Sequence, residues 1–361
     1  MTIHIFNPEH DIALASNLSN FTAPHAGRQL RDDLCFLPAL WAKEGDVVWV
    51  DNVDYASKTW ERVRSQLVPW GGTKCSIGWN NLFHRMEQSV PWGGTNTITP
   101  WGWDRALRRE LERKGVPPSV LPSDGDLSTI RTLSHRKTAA QLLPLLRIDG
   151  TVGEMSYCNT LEAVEEQLHR YPQLVLKAPW SSSGRGIRFI DGALSDHHRG
   201  WLRNLLLSQG GVMAEPYYEK VMDFGMEFES TEEGIRYLGL SLFHTTNGAY
   251  TGNIIATENS KREMISHYIP VDLIDTIKEK ICYQPILQNY RGPFGVDMMI
   301  VRDSSPVSTS NASLLLHPCV EINLRRTMGH VALALSPTDD EVQGVMRISY
   351  AGNYKLKIHK L

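Results

Sequence analysis

The sequence predicts a protein of mixed α/β and α+β character with more than one core, and three observations lead there. Its 361 residues exceed what one hydrophobic core usually serves. The first third reads as βαβ, with short apolar runs on either side of a helical segment. Beyond a turn-rich stretch at 116–125, strand-like runs crowd together with a few helices between them, a layout unlike a clean doubly wound sheet.

Taken in order, Ile3, His4, Ile5 and Phe6 make a short apolar strand closed by the turn formers Asn7 and Pro8. A helix is expected within 29–41. Val47, Val48, Trp49 and Val50 form a continuous apolar strand of the kind buried in parallel sheets. Thr97, Ile98 and Thr99 are a weaker third strand. Asp104 suits the N-cap of a helix reaching Lys114, with Gly115 as its stop. The segment Val68-Pro69-Trp70-Gly71-Gly72-Thr73 returns at 90–95, and Pro100-Trp101-Gly102-Trp103 echoes it. Three short copies do not make a solenoid. Tight turns pinned by buried tryptophans are expected, with indoles lining a substrate pocket as the alternative.

Pro117, Pro118, Pro122 and Gly125 mark a boundary between a unit at 1–125 and a second at 126–361. The second unit is expected to hold helices at 134–146, 161–169 and 271–281. Its strands are expected at 174–176, 212–214, 237–243, 296–301 and 314–322.

The net charge of −3 argues against a dedicated nucleic-acid binder, which carries a basic excess. No apolar run approaches the roughly 18 residues of a membrane span, and residues 1–6 lack the pattern of a signal peptide. Five scattered cysteines without a Cys-x-x-Cys pair indicate neither a disulfide framework nor a zinc knuckle, so a reducing cytoplasm is expected. The histidines form no His-Glu-x-x-His pattern, which argues against a zinc hydrolase.

Three stretches carry chemistry. In the first, the strand Leu174-Val175-Leu176 delivers Lys177, and Ser181, Ser182, Ser183, Gly184 and Gly186 follow. Small side chains let backbone N–H groups approach phosphate oxygens while the lysine supplies a charge. The segment is neither a Walker A loop nor a dinucleotide fingerprint, and a plain flexible hairpin would use the same residues. The second is Asp297 in an apolar strand, followed by Glu321, Asn323 and Arg325. Residues two apart in a strand share a face, so two oxygen ligands and a guanidinium point one way, as a magnesium–triphosphate site requires. An exposed polar strand face is the plainer alternative. The third is Val212-Met213-Ala214 running into Glu215, Pro216, Tyr217, Tyr218 and Glu219, a connection able to present backbone groups to a purine edge.

In this order the pieces resemble the ATP-grasp superfamily over about 134–329. The resemblance implies an ATP-grasp fold in two subdomains with a hinge near 215–219, preceded by a βαβ preATP-grasp domain that helps bind substrate. It implies ATP and Mg2+ as cofactors. Lys137 resembles the first phosphate-binding lysine and Lys177 the second. Residues 181–186, with Ser182, Ser183 and Gly184, resemble the lid, although glycine is commoner there than serine. Glu215 and Tyr218 resemble the hinge that reads adenine. Asp223, with Glu219 close behind, is the candidate for the ribose hydroxyls. Asp297, Glu321 and Asn323 resemble the magnesium ligands, and Arg325 the arginine that steadies the transferred phosphoryl group. The polar loop between Asp297 and Glu321 is longer than a tight hairpin.

On the substrate side, Asn7 to Asp11 and Pro100 to Asp104 follow strands, where ligands gather in open α/β sheets. The stretch from Phe243 to Asn253 either lines an acceptor pocket or is a hairpin. The resemblance implies an ADP-forming ligase that joins a small-molecule carboxylate to an amine, with no nucleic-acid or membrane partner and with a homodimer permitted. A kinase acting on a hydroxyl or a protein, or a non-catalytic nucleotide binder, is the alternative.

Overall fold

The computed structural model describes residues 1–67, 82–85, 96–181, 184, 186–246, 249–303 and 313–361. The first two Pro-Trp-Gly copies, Ser182, Ser183 and most of the loop between Asp297 and Glu321 lie outside these residues.

The N-terminal elements are β1 (Thr2–Ile5), α1 (His10–Ser16), α2 (His25–Asp33), β2 (Val47–Val50), α3 (Val53–Leu67), β3 (Phe83–Arg85), β4 (Thr97–Pro100) and α4 (Arg105–Arg113). The strands form a parallel sheet in the order β3-β2-β1-β4, with Ile3 opposite Val47 on one side and Ile98 on the other. All four residues of β2 are buried, as its unbroken apolar run requires. Ile3, Ile5, Val47, Trp49 and Ile98 pack on one face against Leu107 and Leu111 of α4. Asp104 caps α4 by accepting from Leu107 N at 2.9 Å. The helix expected within 29–41 is instead α2 followed by a short 3-10 turn at Leu37–Leu40. Pro38 sits in the first turn of that 3-10 element, where its missing N–H costs nothing. The third tryptophan copy is a pinned turn: Trp101 is buried edge-on to Phe6 at 5.0 Å.

The middle of the chain supplies α5 (Asp124–Leu133), α6 (Lys137–Leu146), β5 (Ser156–Cys158), α7 (Leu161–Arg170), β6 (Gln173–Lys177), β7 (Ile187–Asp191), α8 (Asp196–Gln209) and β8 (Val212–Pro216). Its four strands make a small antiparallel sheet, β5-β8-β6-β7. Leu174 and Leu176 join a core with Val164 of α7 and Leu202 and Leu205 of α8. The alternation of β6 therefore turns Val175 and Lys177 to the opposite face.

The remaining elements are β9 (Lys220–Thr231), β10 (Gly234–Thr246), β11 (Ala249–Ile255), α9 (Glu258–Ser266), α10 (Val271–Cys282), β12 (Gly292–Arg302), β13 (Leu314–Asn323), α11 (Met328–Leu335), β14 (Gly344–Tyr350) and β15 (Tyr354–Lys360). They build a seven-stranded antiparallel sheet, β13-β12-β9-β10-β11-β14-β15. Phe224, Met226 and Phe228 of β9 and Phe294, Val296 and Met298 of β12 pack on α5, α6, α9 and α10. Period-2 alternation leaves Gly225, Glu227, Gly295 and Asp297 on the other face, which is the face that carries the site. Ile255, Val331 and Met346 share a core with Phe6, Val48 and Trp60, so the C-terminal strands and α11 brace the N-terminal sheet. No helix among the described residues is long and apolar enough to cross a membrane.

One buried cation lies outside the site. Lys261 is 1% exposed and donates to Leu240 O at 2.7 Å. Burial, against the opposing charges of Glu258 and Glu227, lowers its pKa from 10.5 to about 8. Between those values the unfolded chain binds a proton that the folded chain does not, so this residue's contribution to stability rises with pH. Across pH 8 to 10.5, urea unfolding should show the wild type gaining up to about 3 kcal/mol relative to Lys261→Met.

Candidate active site

The site lies between the free face of the small sheet and the polar face of the large one. On the small sheet, Val175 is paired with Glu215 and Lys177 with Met213, which puts Lys177 and Glu215 diagonally across one face. Lys177 Nζ donates to Glu215 Oε2 at 2.5 Å, with both side chains buried. Burial raises the pKa of Glu215, while the Lys177 ammonium opposes the rise. A buried pair of this kind is strongly held because either partner alone would be an uncompensated charge.

On the large sheet, Asp297 of β12 faces Glu321 of β13, and Gly295 faces Asn323. Asn323 Nδ2 donates to Asp297 Oδ2 at 3.0 Å, and Asn323 Oδ1 accepts from Arg325 Nη2 at 3.0 Å. Glu321 and Asn323 share a face of β13 as expected, Arg325 lies just beyond the strand end yet bonds Asn323, and the strand pairing brings Asp297 opposite Glu321. Burial, then the carboxylates of Glu321 and Glu227, push the Asp297 pKa up to about 8.

Three further residues contribute, and two of them, Arg136 and Glu227, are not among the candidate site residues read from the sequence. Arg136 is 6% exposed and joins the two sheets. Its guanidinium donates to Ala178 O, to Ser181 Oγ at 2.9 Å and to Glu321 Oε1 at 2.7 Å. Lys137, next in sequence, instead starts α6 on the exposed side, its ammonium 3.5 Å from the centre of the Tyr157 ring. Successive side chains on a helix point about 100° apart, so at the mouth of α6 Arg136 faces the two sheets while Lys137 faces Tyr157. Glu227 is buried beneath Asp297, 3.0 Å from His330 Nδ1, and a Cβ on Gly295 would come 2.6 Å from Glu227 Oε2. The apolar Phe224, Met226 and Phe228 alternating around it were the available signal.

The third contributor, Asp11, comes from the N-terminal unit. Arg325 holds it bidentately, Nε to Oδ1 at 2.8 Å and Nη2 to Oδ2 at 2.7 Å. Asp11 belongs to the cluster noted after β1, and the fold brings that cluster against the one after β4. Asn7 Nδ2 donates to Gly102 O at 2.8 Å, and His10 Nδ1 lies 3.4 Å from Asp104 Oδ2. Asp11, Arg136, Ser181, Glu321 and Asn323 enclose a cavity of about 10 Å³. Across α1, Asn7, Glu9, Arg28, Arg31 and Asp104 line an open cleft of about 860 Å³ at the carboxyl ends of the parallel strands.

At the root of the lid, Ala178 N donates to Gly186 O at 2.8 Å and Ile187 N to Gly184 O at 3.2 Å. Gly184 has φ +73°, and a Cβ on Gly186 would meet Ser181 and lie 2.9 Å from that of Ala178. At the hinge, Tyr218 lies edge-on to His317 at 5.5 Å. Asp223 Oδ2 accepts from Lys220 Nζ at 2.5 Å and from Thr245 Oγ1 at 2.6 Å. Glu219 turns away and pairs with Arg302 Nε at 2.7 Å. The stretch from Phe243 to Asn253 is the β10–β11 hairpin, with His244 exposed and Asn253 buried against Ser241 Oγ at 2.8 Å.

The donor set suits a hard cation. Two carboxylates and the Asn323 amide gather there, the amide turning its nitrogen to Asp297 and its oxygen to Arg325, and burial, then the charges of Glu321 and Glu227, raise the Asp297 pKa. No cluster of three or more His, Cys, Asp or Glu side chains able to hold a metal occurs among the described residues, so such a site would use Asn323 as its third donor.

No protein-family model matches the chain. It is 24% identical over 233 residues to the [Butirosin acyl-carrier protein]--L-glutamate ligase of Niallia circulans, covering 60% of this chain and 48% of that one. The chain thus spans about half the length of that curated relative. Similar solved structures include the N5-carboxyaminoimidazole synthetase of Staphylococcus aureus complexed with ADP, at 14% identity and a TM-score of 0.47, covering 96% of this chain and 82% of that one. An ATP-grasp superfamily protein from Archaeoglobus fulgidus is similar at 13% identity and a TM-score of 0.44, covering 100% and 99%. These scores are low, and the assignment stands on the chain's own topology and motif order. The chain places a parallel sheet beside two antiparallel sheets, with Lys177 on one of these and Asp297, Glu321 and Asn323 on the other, the order of parts for which the sequence resembles the ATP-grasp superfamily.

Proposed function

We propose that the protein is an ADP-forming ligase that uses ATP and magnesium to join a carboxylate to an amine. The observation that carries the reading is the convergence of Arg136, Lys177 and Arg325 with Asp297, Glu321 and Asn323 between two sheets. In this reading Glu215 and the hinge to Tyr218 receive the adenine, and Asp223 the ribose. Lys177 and Arg136 face the phosphates, with Gly184 in the loop that follows Lys177; Ser182 and Ser183, assigned to that loop from the sequence, lie outside the described residues. Asp297, Glu321 and Asn323 hold the magnesium. Magnesium, when bound, neutralises charge on the phosphoryl oxygens. Arg325 steadies the group in transfer, and Asp11 holds that guanidinium in place.

The cavity of about 10 Å³ is too small for a triphosphate. In this reading, entry of nucleotide has Arg136 exchange Glu321 for phosphate oxygens. The acid and the amine reach the same point from the N-terminal side, where Asp11 and the clusters after β1 and β4 stand. The relative's name, an L-glutamate ligase acting on an acyl-carrier protein, agrees with a carboxylate–amine ligation.

Incubation with ATP, magnesium and paired pools of carboxylic acids and amines should release ADP and phosphate only when both pools are present. AMP formation, or no nucleotide turnover with any pair, would refute the ligase. A phosphorylated product that accumulates without free phosphate would reassign the site to a kinase.

A further inference from the structure

His317 is a buried histidine in this region that the proposed chemistry leaves unused. It stands on β13 directly opposite Met299 of β12, and Met299 lies two residues beyond Asp297 on the same strand. The ring therefore faces the space between the sheets. It is 0% exposed, and among the described residues neither Nδ1 nor Nε2 has a hydrogen-bond partner. The hinge residue Tyr218 stands edge-on to it at 5.5 Å. On another side is Gly153 at φ +139°, where a Cβ would come 2.7 Å from Nε2. Glycine is thus the residue that leaves room for this imidazole.

Burial and the nearby Lys177 ammonium lower the His317 pKa to about 3, so the ring is neutral at ordinary pH. A neutral imidazole offers one donor and one acceptor. Leaving both buried and unpaired costs about 1–3 kcal/mol for each group, which a structural histidine avoids by finding partners. His317 stands four positions before Glu321, across a register irregularity in β13, and pairs with Met299 where Glu321 pairs with Asp297. His317 therefore lies toward the hinge, away from the phosphate-facing end of the site.

We infer that His317 is a specificity-determining residue that reads the donor–acceptor edge of the purine base held at the hinge. The inference rests on the nucleotide reading above. The base supplies the missing partners, and an amino edge is told from a keto edge because the wrong pattern leaves a buried nitrogen unpaired.

Calorimetric titration with Mg·ADP, Mg·GDP and Mg·tripolyphosphate, against wild type, His317→Leu and His317→Gln, tests this. His317→Leu should weaken ADP about tenfold, the equivalent of one hydrogen bond. It should shrink the ADP-over-GDP preference by a similar factor and leave tripolyphosphate within twofold. His317→Gln, which keeps a donor and an acceptor, should recover most of the ADP affinity. An equal loss for all three ligands would make His317 a packing residue and overturn the inference, as would unchanged ADP binding in His317→Leu. If the wild type binds none of the three, the nucleotide reading fails and the inference falls with it.

Discussion

Glu321→Gln should reduce ATP turnover by a factor of 10² to 10³ or more, in line with the loss of an electrostatic group aimed at the reacting centre. The glutamine keeps the size of the side chain and an acceptor for the Arg136 guanidinium, now 2.7 Å from Glu321 Oε1. What it removes is a negative charge from the proposed metal site. Arg136 retains Ala178 O and Ser181 Oγ, so the fold should persist. The checks are ADP release at saturating substrate and thermal unfolding with and without magnesium. Full turnover in the variant would sink the metal assignment. Unfolding of the variant at room temperature would instead make Glu321 a structural counter-ion of Arg136.

Asp11→Asn should lower stability markedly. Arg325 would lose a bidentate carboxylate and keep Asn323 Oδ1 and Arg326 O as acceptors. Breaking a buried ion pair from one side costs about 3–5 kcal/mol. Here Arg325 and Asp11 keep 15% and 17% exposure, so about 2–3 kcal/mol is expected. Activity should fall as well, because the arginine would no longer be held in place. The pH dependence has a definite sign. Burial raises the Asp11 pKa, but the charge and hydrogen bonds of Arg325 outweigh it and hold the carboxyl below its ordinary 3.8. The contribution is then complete above that value and is lost as pH falls through the folded-state pKa. Denaturant midpoints of wild type and variant should therefore converge on acidification below about pH 4. Midpoints that stay equal from pH 4 to 7 would show that the pair contributes nothing.

Much of this was legible in the sequence because it depends on local pattern. The four apolar residues of β2 could be read as a buried parallel strand, and Asp104 as the cap of α4. Glu321 and Asn323 could be placed on one face because strand periodicity is fixed at two, whereas Asp297 joins them only through the pairing of β12 with β13. Shorter-range ambiguity defeated other readings. At the start of α6 one residue decides which side chain turns inward, and Arg136 does so while Lys137 lies on Tyr157. The two ends of the proposed ribose contact, Asp223 and Glu219, could not be separated until the strand showed Glu219 leaving with Arg302.

The sequence by itself determined the elements, the order of the motifs and the chemical types gathered in them, since propensity, capping and alternation act over a few neighbouring residues. Only the tertiary structure decided which distant charges neutralise one another. Asp11 and Arg325 are 314 positions apart, and Arg136 and Glu321 are 185 apart. No local rule specifies such pairs, because they form only when packing removes both charges from water and leaves each the other's nearest counter-ion.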